Sequence, residues 1–298
     1  MNDTRPWFGF ALAAAVALSF AGNTAAARLA FDGGTTPLTM NAARLATACI
    51  LLFIVLKAAG IPTALPRRTR RIAWALGPLM CLYQFSLLSA LETIPLALAI
   101  LIFYTFPIMT SLYSWATGRE RPTLLGVSAV FVAFGGLALA LDVRGNSLHP
   151  TGVLLAFLGA LGLTVMLQFN HRLVGAGDSR PVTLNMAASA TVTAILIALL
   201  TGDVAAPASA TGWTAFTVST LMFSFAIIFM FVAMTMIGPV RMALTMNLEP
   251  VASMLLGVFL LGQAMTPIQV AGGALVIAAV LMVRLQPAPQ RKGAKPDG

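Results

Sequence analysis

The run TGWTAFTVSTLMFSFAIIFMFVAMTM, residues 211–236, contains no Asp, Glu, Lys or Arg. A helix of about 20 apolar residues crosses the hydrocarbon core of a bilayer, so this run is long enough to span one. The whole chain of 298 residues is 59% hydrophobic and 9% charged, whereas a soluble domain carries about 25% charged residues. This composition excludes a soluble fold and predicts an integral membrane protein.

Nine further runs have a similar length and polarity, and most of them are separated by Gly or Pro residues that favour turns. The sequence therefore predicts an all-α membrane protein with ten transmembrane helices. The ten predicted spans are residues 8–31, 38–58, 72–93, 95–117, 123–142, 151–173, 181–201, 211–236, 239–262 and 266–285.

Basic residues are distributed unevenly between the two sets of loops that ten spans create. Fifteen of the 18 Lys and Arg residues fall on the side of the chain ends, and the opposite side holds Arg28, Arg44 and Arg144. Because cytoplasmic loops are enriched in Lys and Arg, both termini are predicted to be cytoplasmic, in a bacterial inner membrane. The net charge of +9 then faces anionic lipid headgroups, and no nucleic-acid partner is expected. The basic tail, residues 286–298, is predicted to be disordered.

The two halves of the chain match each other at an almost constant offset. The matched pairs, at offsets of 143 or 144, are Gly9 with Gly152, Pro37 with Pro181, Thr39 with Thr183, Asn41 with Asn185, Ala90 with Ala233 and Pro107 with Pro250. They predict a first five-helix repeat at residues 1–145 and a second at residues 146–285. Because five is odd, the second repeat enters the membrane from the opposite side, and inverted repeats are typical of alternating-access transporters.

A family resemblance is carried by residues 83–107 and 118–123 in the first half and by residues 247–251, 261–263 and 269–273 in the second. With the repeat and the Leu248-Glu249-Pro250 sequence, these stretches look like the EamA family, the ten-helix branch of the drug/metabolite transporter superfamily. One departure is Gln263, where the family often has a glutamate; the first-half relative is Glu120. The resemblance implies export of amino acids and other metabolites, and it does not choose the substrate.

One carboxylate, Glu249, is predicted to lie well inside a span, where an ionisable group faces a partner or a cavity. It could bind a substrate ammonium group or gate in response to protons, or it could be a packing residue beside Pro250, the interpretation that is slightly favoured. Pro250 leaves the carbonyl near Met246 without its helical donor, and Asn247 is placed to help satisfy that region. Pro107 and Pro250 are the predicted hinge residues.

Tyr83, Gln84 and Tyr104 lie near the middles of the third and fourth predicted spans. Polar groups and aromatic faces at this depth suit an amphipathic ligand, and interhelical hydrogen bonding is the alternative of equal weight. Asn23, Gln168 and Asn170 are weaker candidates for the same role.

Asn41 and Arg44 share one face of the second predicted span because they are three residues apart. Arg44 could bind a substrate carboxylate or seal an outer gate. The favoured interpretation is that it extends to the headgroups or pairs with Asp32 or Glu92. Helix capping is favoured for Asn41 and its repeat mate Asn185. Arg241 is predicted to anchor the chain at the inner surface. Gly135, Gly136, Gly159, Gly162, Gly272 and Gly273 are predicted to allow close helix packing.

The sequence thus favours a secondary transporter that exports small neutral metabolites. Amino acids are the first expectation, and aromatic or other apolar amino acids are favoured among them. Export of cationic drugs is the alternative, and a membrane enzyme or scaffold comes third. Neither His149 nor His171 has metal-ligand spacing, and the sequence contains no nucleotide-binding motif, so no metal and no cofactor are expected. The expected partners are a small-molecule substrate and the bilayer, with proton coupling and simple facilitated diffusion left open, in a monomer or weak dimer.

Overall fold

The computed structural model describes residues 5–90, 93–94, 96–118, 123–141, 149–174, 178–261 and 266–284. All regular elements within these ranges are α-helices, as the composition predicts. They are α1 Arg5–Asp32, α2 Pro37–Ala58, α3 Arg67–Ala90, α4 Leu96–Phe103, α5 Phe106–Ala116, α6 Leu124–Leu141, α7 Pro150–Val174, α8 Arg180–Thr201, α9 Ala210–Ile237, α10 Pro239–Thr245, α11 Leu248–Leu261 and α12 Pro267–Arg284. The predictions for Glu92, Glu120, Gln263 and the tail fall outside the described residues.

Seven stretches of the described chain are helical, long and apolar enough to cross a membrane. They are Trp7–Asp32, Pro37–Ala58, Leu98–Ala116, Leu124–Leu141, Pro150–Val174, Arg180–Thr201 and Ala210–Ile237, and the shorter apolar helix Pro267–Met282 accompanies them. The chain is therefore a multi-span, all-α protein. Two predicted spans, residues 95–117 and 239–262, are each divided into two helices, and the predicted third span begins at Arg67 instead of residue 72.

Local sequence sets the ends of several helices. The Thr36 hydroxyl caps α2 by accepting a hydrogen bond from the Thr39 amide at 3.4 Å, and Ser209 caps α9 through the Gly212 amide at 3.0 Å. Gly238 has a φ of 84°, a conformation that favours glycine. It lets the chain turn directly from α9 into α10.

The principal helix contacts join the first half, α1 to α6, to the second half, α7 to α12. Helix α1 packs on α9 and α3 packs on α7; α2 packs on α9 and α3 packs on α8. Helices α2 and α8 also pack on each other, as do α6 and α12. This pattern is unchanged when the two halves are exchanged, as expected for two repeats related by a pseudo-two-fold axis.

Glycines allow the closest of these contacts. A Cβ added to Gly136 on α6 would lie 2.9 Å from the Gly272 carbonyl on α12, whereas a Cβ on the adjacent Gly135 would meet no atom within 4 Å. On α7, Gly159 and Gly162 face the backbone and Cβ of Tyr83. The small residues thus set the depth at which Tyr83 enters the bundle.

Hydrogen bonds between the two halves close one end of the bundle. In the α1–α2 turn, the Gly33 carbonyl accepts from the Ala208 amide at 2.9 Å, and the Thr36 hydroxyl donates to the Asp203 carbonyl at 3.2 Å. The Thr39 hydroxyl accepts from the Ala205 amide at 3.1 Å. The α1–α2 turn and the α8–α9 loop are therefore joined at the end that the distribution of charge predicts to be external.

Candidate functional site

A cavity with a volume of about 220 Å³ lies between the two halves. Its walls are mainly aromatic, aliphatic and methionine side chains with a few polar groups among them, as in most small-molecule sites. The lining residues are Phe20, Asn23, Thr24, Arg44, Tyr83, Gln84, Leu87, Ile100, Phe103, Tyr104, Phe106, Leu163, Leu167, Phe223, Met230, Met242, Met246, Glu249, Pro250 and Ser253.

Arg44 on α2 supplies a positive charge to this cavity. Its side chain is 6% exposed, and its Nη1 donates a hydrogen bond to Asn23 Oδ1 on α1 at 3.3 Å. The guanidinium carbon lies 4.7 Å from the centre of the Phe223 ring on α9, a favourable cation–π distance. The same Asn23 oxygen accepts from the Ser219 hydroxyl at 2.8 Å. Groups from both halves therefore hold Arg44 in place.

Glu249 supplies a negative charge, and the break between α10 and α11 positions it. Pro250 has no amide hydrogen to donate to the Met246 carbonyl. That carbonyl accepts from the Glu249 amide at 2.9 Å instead, and the Tyr104 hydroxyl lies 3.2 Å from it. The Tyr104 hydroxyl is closer to Glu249 Oε2, at 2.7 Å, and donates its proton there. This bond joins the break in the first half to the break in the second.

Tyr83 and Gln84 complete the polar part of the cavity, and each is 8% exposed. The Gln84 amide lies beside the Tyr83 hydroxyl, but neither of its polar atoms has the geometry of a hydrogen bond. Arg44 and Glu249 line the same cavity as Tyr83. The two charged residues therefore border one shared space.

Aromatic rings form the apolar part of the cavity. Phe103, Tyr104 and Phe106 contact one another with ring centres 5.5–6.0 Å apart. Phe20 meets Phe223 edge to face at 6.0 Å. An apolar side chain of a ligand would find a rigid aromatic surface here.

The structure brings together most of the predicted site residues. Those that line the cavity are Arg44, Tyr83, Gln84, Tyr104, Glu249 and Pro250, while Asn41, Asn247 and Pro107 lie outside its lining. Asn41 is fully buried with its amide nitrogen 3.9 Å from Cys81 Sγ, and Asn247 donates to the Leu244 carbonyl at 3.0 Å. Both asparagines therefore make these contacts outside the cavity lining, and Asn41 Oδ1 is buried without a hydrogen-bond partner among the described residues.

Three favoured sequence interpretations are wrong. Arg44 does not extend to the headgroups, because it is buried against Asn23 and Phe223. Among the described residues it makes no ion pair with Asp32, and Glu92, the other predicted partner, lies outside them. Arg241 is not a surface anchor, because protein encloses its side chain to 6% exposure. Asn41 caps no helix, because Thr36 provides the cap of α2.

Of the weaker candidates, Asn23 lines the cavity and the other two do not. Gln168 donates to the Ser114 hydroxyl at 3.1 Å, which ties α7 to α5, and Asn170 contacts Met186. Sequence reasoning missed Thr24, Phe223 and Ser253. Ser253 is four residues after Glu249, so helical periodicity could have placed it on the same face. Nothing local indicates that Phe223 lies against Arg44.

Comparisons with known proteins agree with this architecture. A model described as the EamA-like transporter family matches residues 7–141 and, a second time, residues 150–285. The two matches begin 143 residues apart, the offset found in the sequence, so the repeat is confirmed. No curated protein matches the chain.

Twenty-nine solved chains match. One, described as "Crystal structure of protein", has a TM-score of 0.74 and 19% identity and covers 93% of this chain and 98% of its own. At that identity the similarity shows the fold alone.

Proposed function

The chain belongs to the EamA-like transporter family, and from this we propose that it is a secondary transporter that exports small neutral metabolites, amino acids first among them. The observation that carries the proposal is the cavity between the two halves, whose described lining includes a cation, Arg44, and a carboxylate, Glu249, among aromatic walls. A ligand with both charges and an apolar side chain would complement every part of that lining.

The size of the cavity favours a small metabolite over a drug. Sites for drug-sized ligands have volumes of about 300–1,000 Å³, and this cavity has about 220 Å³. Glu249 alone would suit a cationic drug, but Arg44 in the same lining would repel one. Cationic drug export therefore remains the second candidate, and a membrane enzyme or scaffold is less consistent with a family of transporters.

The transport mechanism we propose is alternating access by two inverted repeats in a bacterial inner membrane. Counting α4 with α5, and α10 with α11, as one broken span each gives ten spans, five in each half. The charge distribution of the loops then supports cytoplasmic termini. The halves would rock around the breaks at Pro107 and Pro250, as a monomer or weak dimer.

Cysteine labelling tests this topology. In a chain without Cys49 and Cys81, Ala59→Cys after α2 and Ala206→Cys after α8 place one exposed thiol at each predicted face. A membrane-impermeant maleimide added to intact cells should label the variant at 206, and the variant at 59 only after lysis. The reverse pattern would overturn the orientation, and equal labelling of both in intact cells would overturn the separation of the two faces.

Flux measurements test the function. Purified protein in liposomes is offered labelled phenylalanine, labelled leucine and a labelled quaternary ammonium cation, with protein-free liposomes as the control. We expect saturable amino-acid flux and little flux of the cation. Imposing a pH gradient decides the coupling, since an accelerated flux supports proton coupling and an unchanged flux supports facilitated diffusion. Protein-dependent flux of the cation alone would favour the drug exporter.

A further inference from the structure

Arg44 is a buried cation with no counter-ion among the residues that the structure describes. No carboxylate among the described residues forms an ion pair with it, and its Nε has no hydrogen-bond partner although the side chain is 94% enclosed. Its contacts, the Asn23 amide oxygen and the Phe223 ring, are neutral. Such a group is costly in a low-dielectric site, and an incoming carboxylate that accepts from the free guanidinium face would remove that cost.

Glu249 presents the complementary case in the same cavity. The Tyr104 hydroxyl donates to one of its oxygens, and no cation among the described residues pairs with it. A carboxylate can accept several hydrogen bonds, so it retains capacity for a donor that enters the cavity. An ammonium group is such a donor, and its positive charge would pair with the carboxylate of Glu249.

We propose that the cavity binds a free α-amino acid in one orientation, with the carboxylate on Arg44, the ammonium on Glu249 and the side chain among Phe103, Phe106 and Met230. This rests on the proposed function and deepens it, because it assigns each end of the substrate to one half of the protein. Asn23 is a positioning residue, since the Ser219 hydroxyl of the second half fixes the oxygen that holds the guanidinium.

The assignment has a consequence for selectivity. A zwitterion neutralises both charges of the cavity at once, whereas a ligand with only one ionic group leaves the other protein charge unpaired when the ligand covers it. Phenylethylamine lacks the carboxylate of phenylalanine, and 3-phenylpropionate lacks the ammonium. We expect each to compete for the site at least about tenfold more weakly than phenylalanine.

Competition binding to the purified full chain tests the assignment separately from transport. Labelled phenylalanine is displaced by phenylethylamine or by 3-phenylpropionate in wild type, Arg44→Gln and Glu249→Gln. Arg180→Gln, at a partly exposed arginine that pairs with Asp178 outside the cavity lining, is the control with wild-type affinities. Arg44→Gln should lower the affinity for phenylalanine at least about tenfold and leave the affinity for phenylethylamine almost unchanged. Glu249→Gln should also lower the affinity for phenylalanine at least about tenfold, and it should leave the affinity for 3-phenylpropionate almost unchanged.

The assignment would be overturned if Arg44→Gln lowered the affinities for phenylalanine and phenylethylamine equally, or if Glu249→Gln lowered those for phenylalanine and 3-phenylpropionate equally. An absence of phenylalanine binding to the wild type would also overturn it. If Arg44→Gln does not fold, Arg44→Lys is the second variant, because it keeps the positive charge and loses the paired donors of the guanidinium. It should bind phenylalanine with reduced affinity and still prefer phenylalanine to phenylethylamine. Loss of that preference would overturn the proposal. Selective binding without flux would overturn the transport proposal alone. Flux with no selectivity between the analogues would overturn the orientation alone.

Discussion

The first half contains the broken helix α4–α5, and the second half contains the broken helix α10–α11. The two are broken at similar places along the backbone, but their side chains differ. Both break shortly before a proline: at Tyr104 and Thr105, three and two residues before Pro107, and at Met246 and Asn247, four and three residues before Pro250. Thr105 and Met246 both keep right-handed helical dihedral angles, with φ of −70° and −62°. Each break is therefore a local kink, caused by a missing amide hydrogen, within one continuing span.

The side chains at these breaks have diverged. The residue before the proline is Phe106 in the first half and Glu249 in the second, and Tyr104 corresponds to Asn247. Arg44 corresponds to Ala188, at the offset of 144 that also relates Asn41 to Asn185. Each half therefore contributes one charge that the other lacks. The repeat supplies a symmetric frame for movement, and the differences between halves give the cavity a polarity.

The largest expected effect comes from removing that difference at the proline. Glu249→Leu makes the second half as apolar as the first, and we expect substrate flux in proteoliposomes to fall at least about tenfold, because a buried charge contact with the substrate is lost. Phe106→Leu, at the equivalent position of the first half, should cost less, because an apolar wall is kept and only part of the contact with the substrate side chain is lost. Arg180→Gln, outside the cavity lining, is the control with wild-type flux. Comparable losses in Glu249→Leu and Phe106→Leu would mean that the two positions are equivalent.

Next in size is the contact between the equivalent helices α6 and α12. Gly136→Ala places a Cβ 2.9 Å from backbone atoms of α12, and we expect it to lower stability by about 1–3 kcal/mol through overpacking. Thermal unfolding in detergent measures this. Gly135→Ala, where the Cβ meets open space, should be neutral or slightly stabilising, and a larger loss at Gly135 than at Gly136 would contradict the packing described.

A smaller effect is expected for the bond between the two breaks. Tyr104→Phe removes the hydroxyl that donates to Glu249 at 2.7 Å, which should weaken substrate binding by about 1–2 kcal/mol, because the carboxylate is left less well held. In a Glu249→Leu background the same change should cost almost nothing. A full, additive cost there would show that the hydroxyl acts elsewhere.

The smallest effect concerns helix caps at equivalent positions. Thr36 and Ser179 precede α2 and α8 at the offset of 143, but only Thr36 makes a side-chain cap bond. We expect Thr36→Ala to lower stability by about 0.5–1 kcal/mol and Ser179→Ala to lower it by less. Thermal unfolding of the two variants compares them, and a greater loss for Ser179→Ala would reverse this distinction between the halves.

The sequence predicted the features that depend on long local patterns. Apolar runs located the helices, and Pro107 and Pro250 marked the two broken spans, because chain length and a missing amide act within a single segment. The burial of Arg44 was not predictable in this way, since its environment is set by Asn23 on α1 and Phe223 on α9, distant residues brought together by packing between the halves. Glu249 could be identified as lying inside a span, whereas its partner Tyr104 is 145 residues away and could not be identified from local sequence.

The central claim is that two halves alternately expose the cavity between them. Counterflow in proteoliposomes tests it most directly, because a carrier that reorients with substrate bound exchanges faster than it returns empty. Liposomes loaded with unlabelled phenylalanine should take up external labelled phenylalanine faster than unloaded ones, with a transient accumulation above equilibrium. Protein-dependent flux that is neither saturable nor stimulated by internal substrate would contradict alternating access.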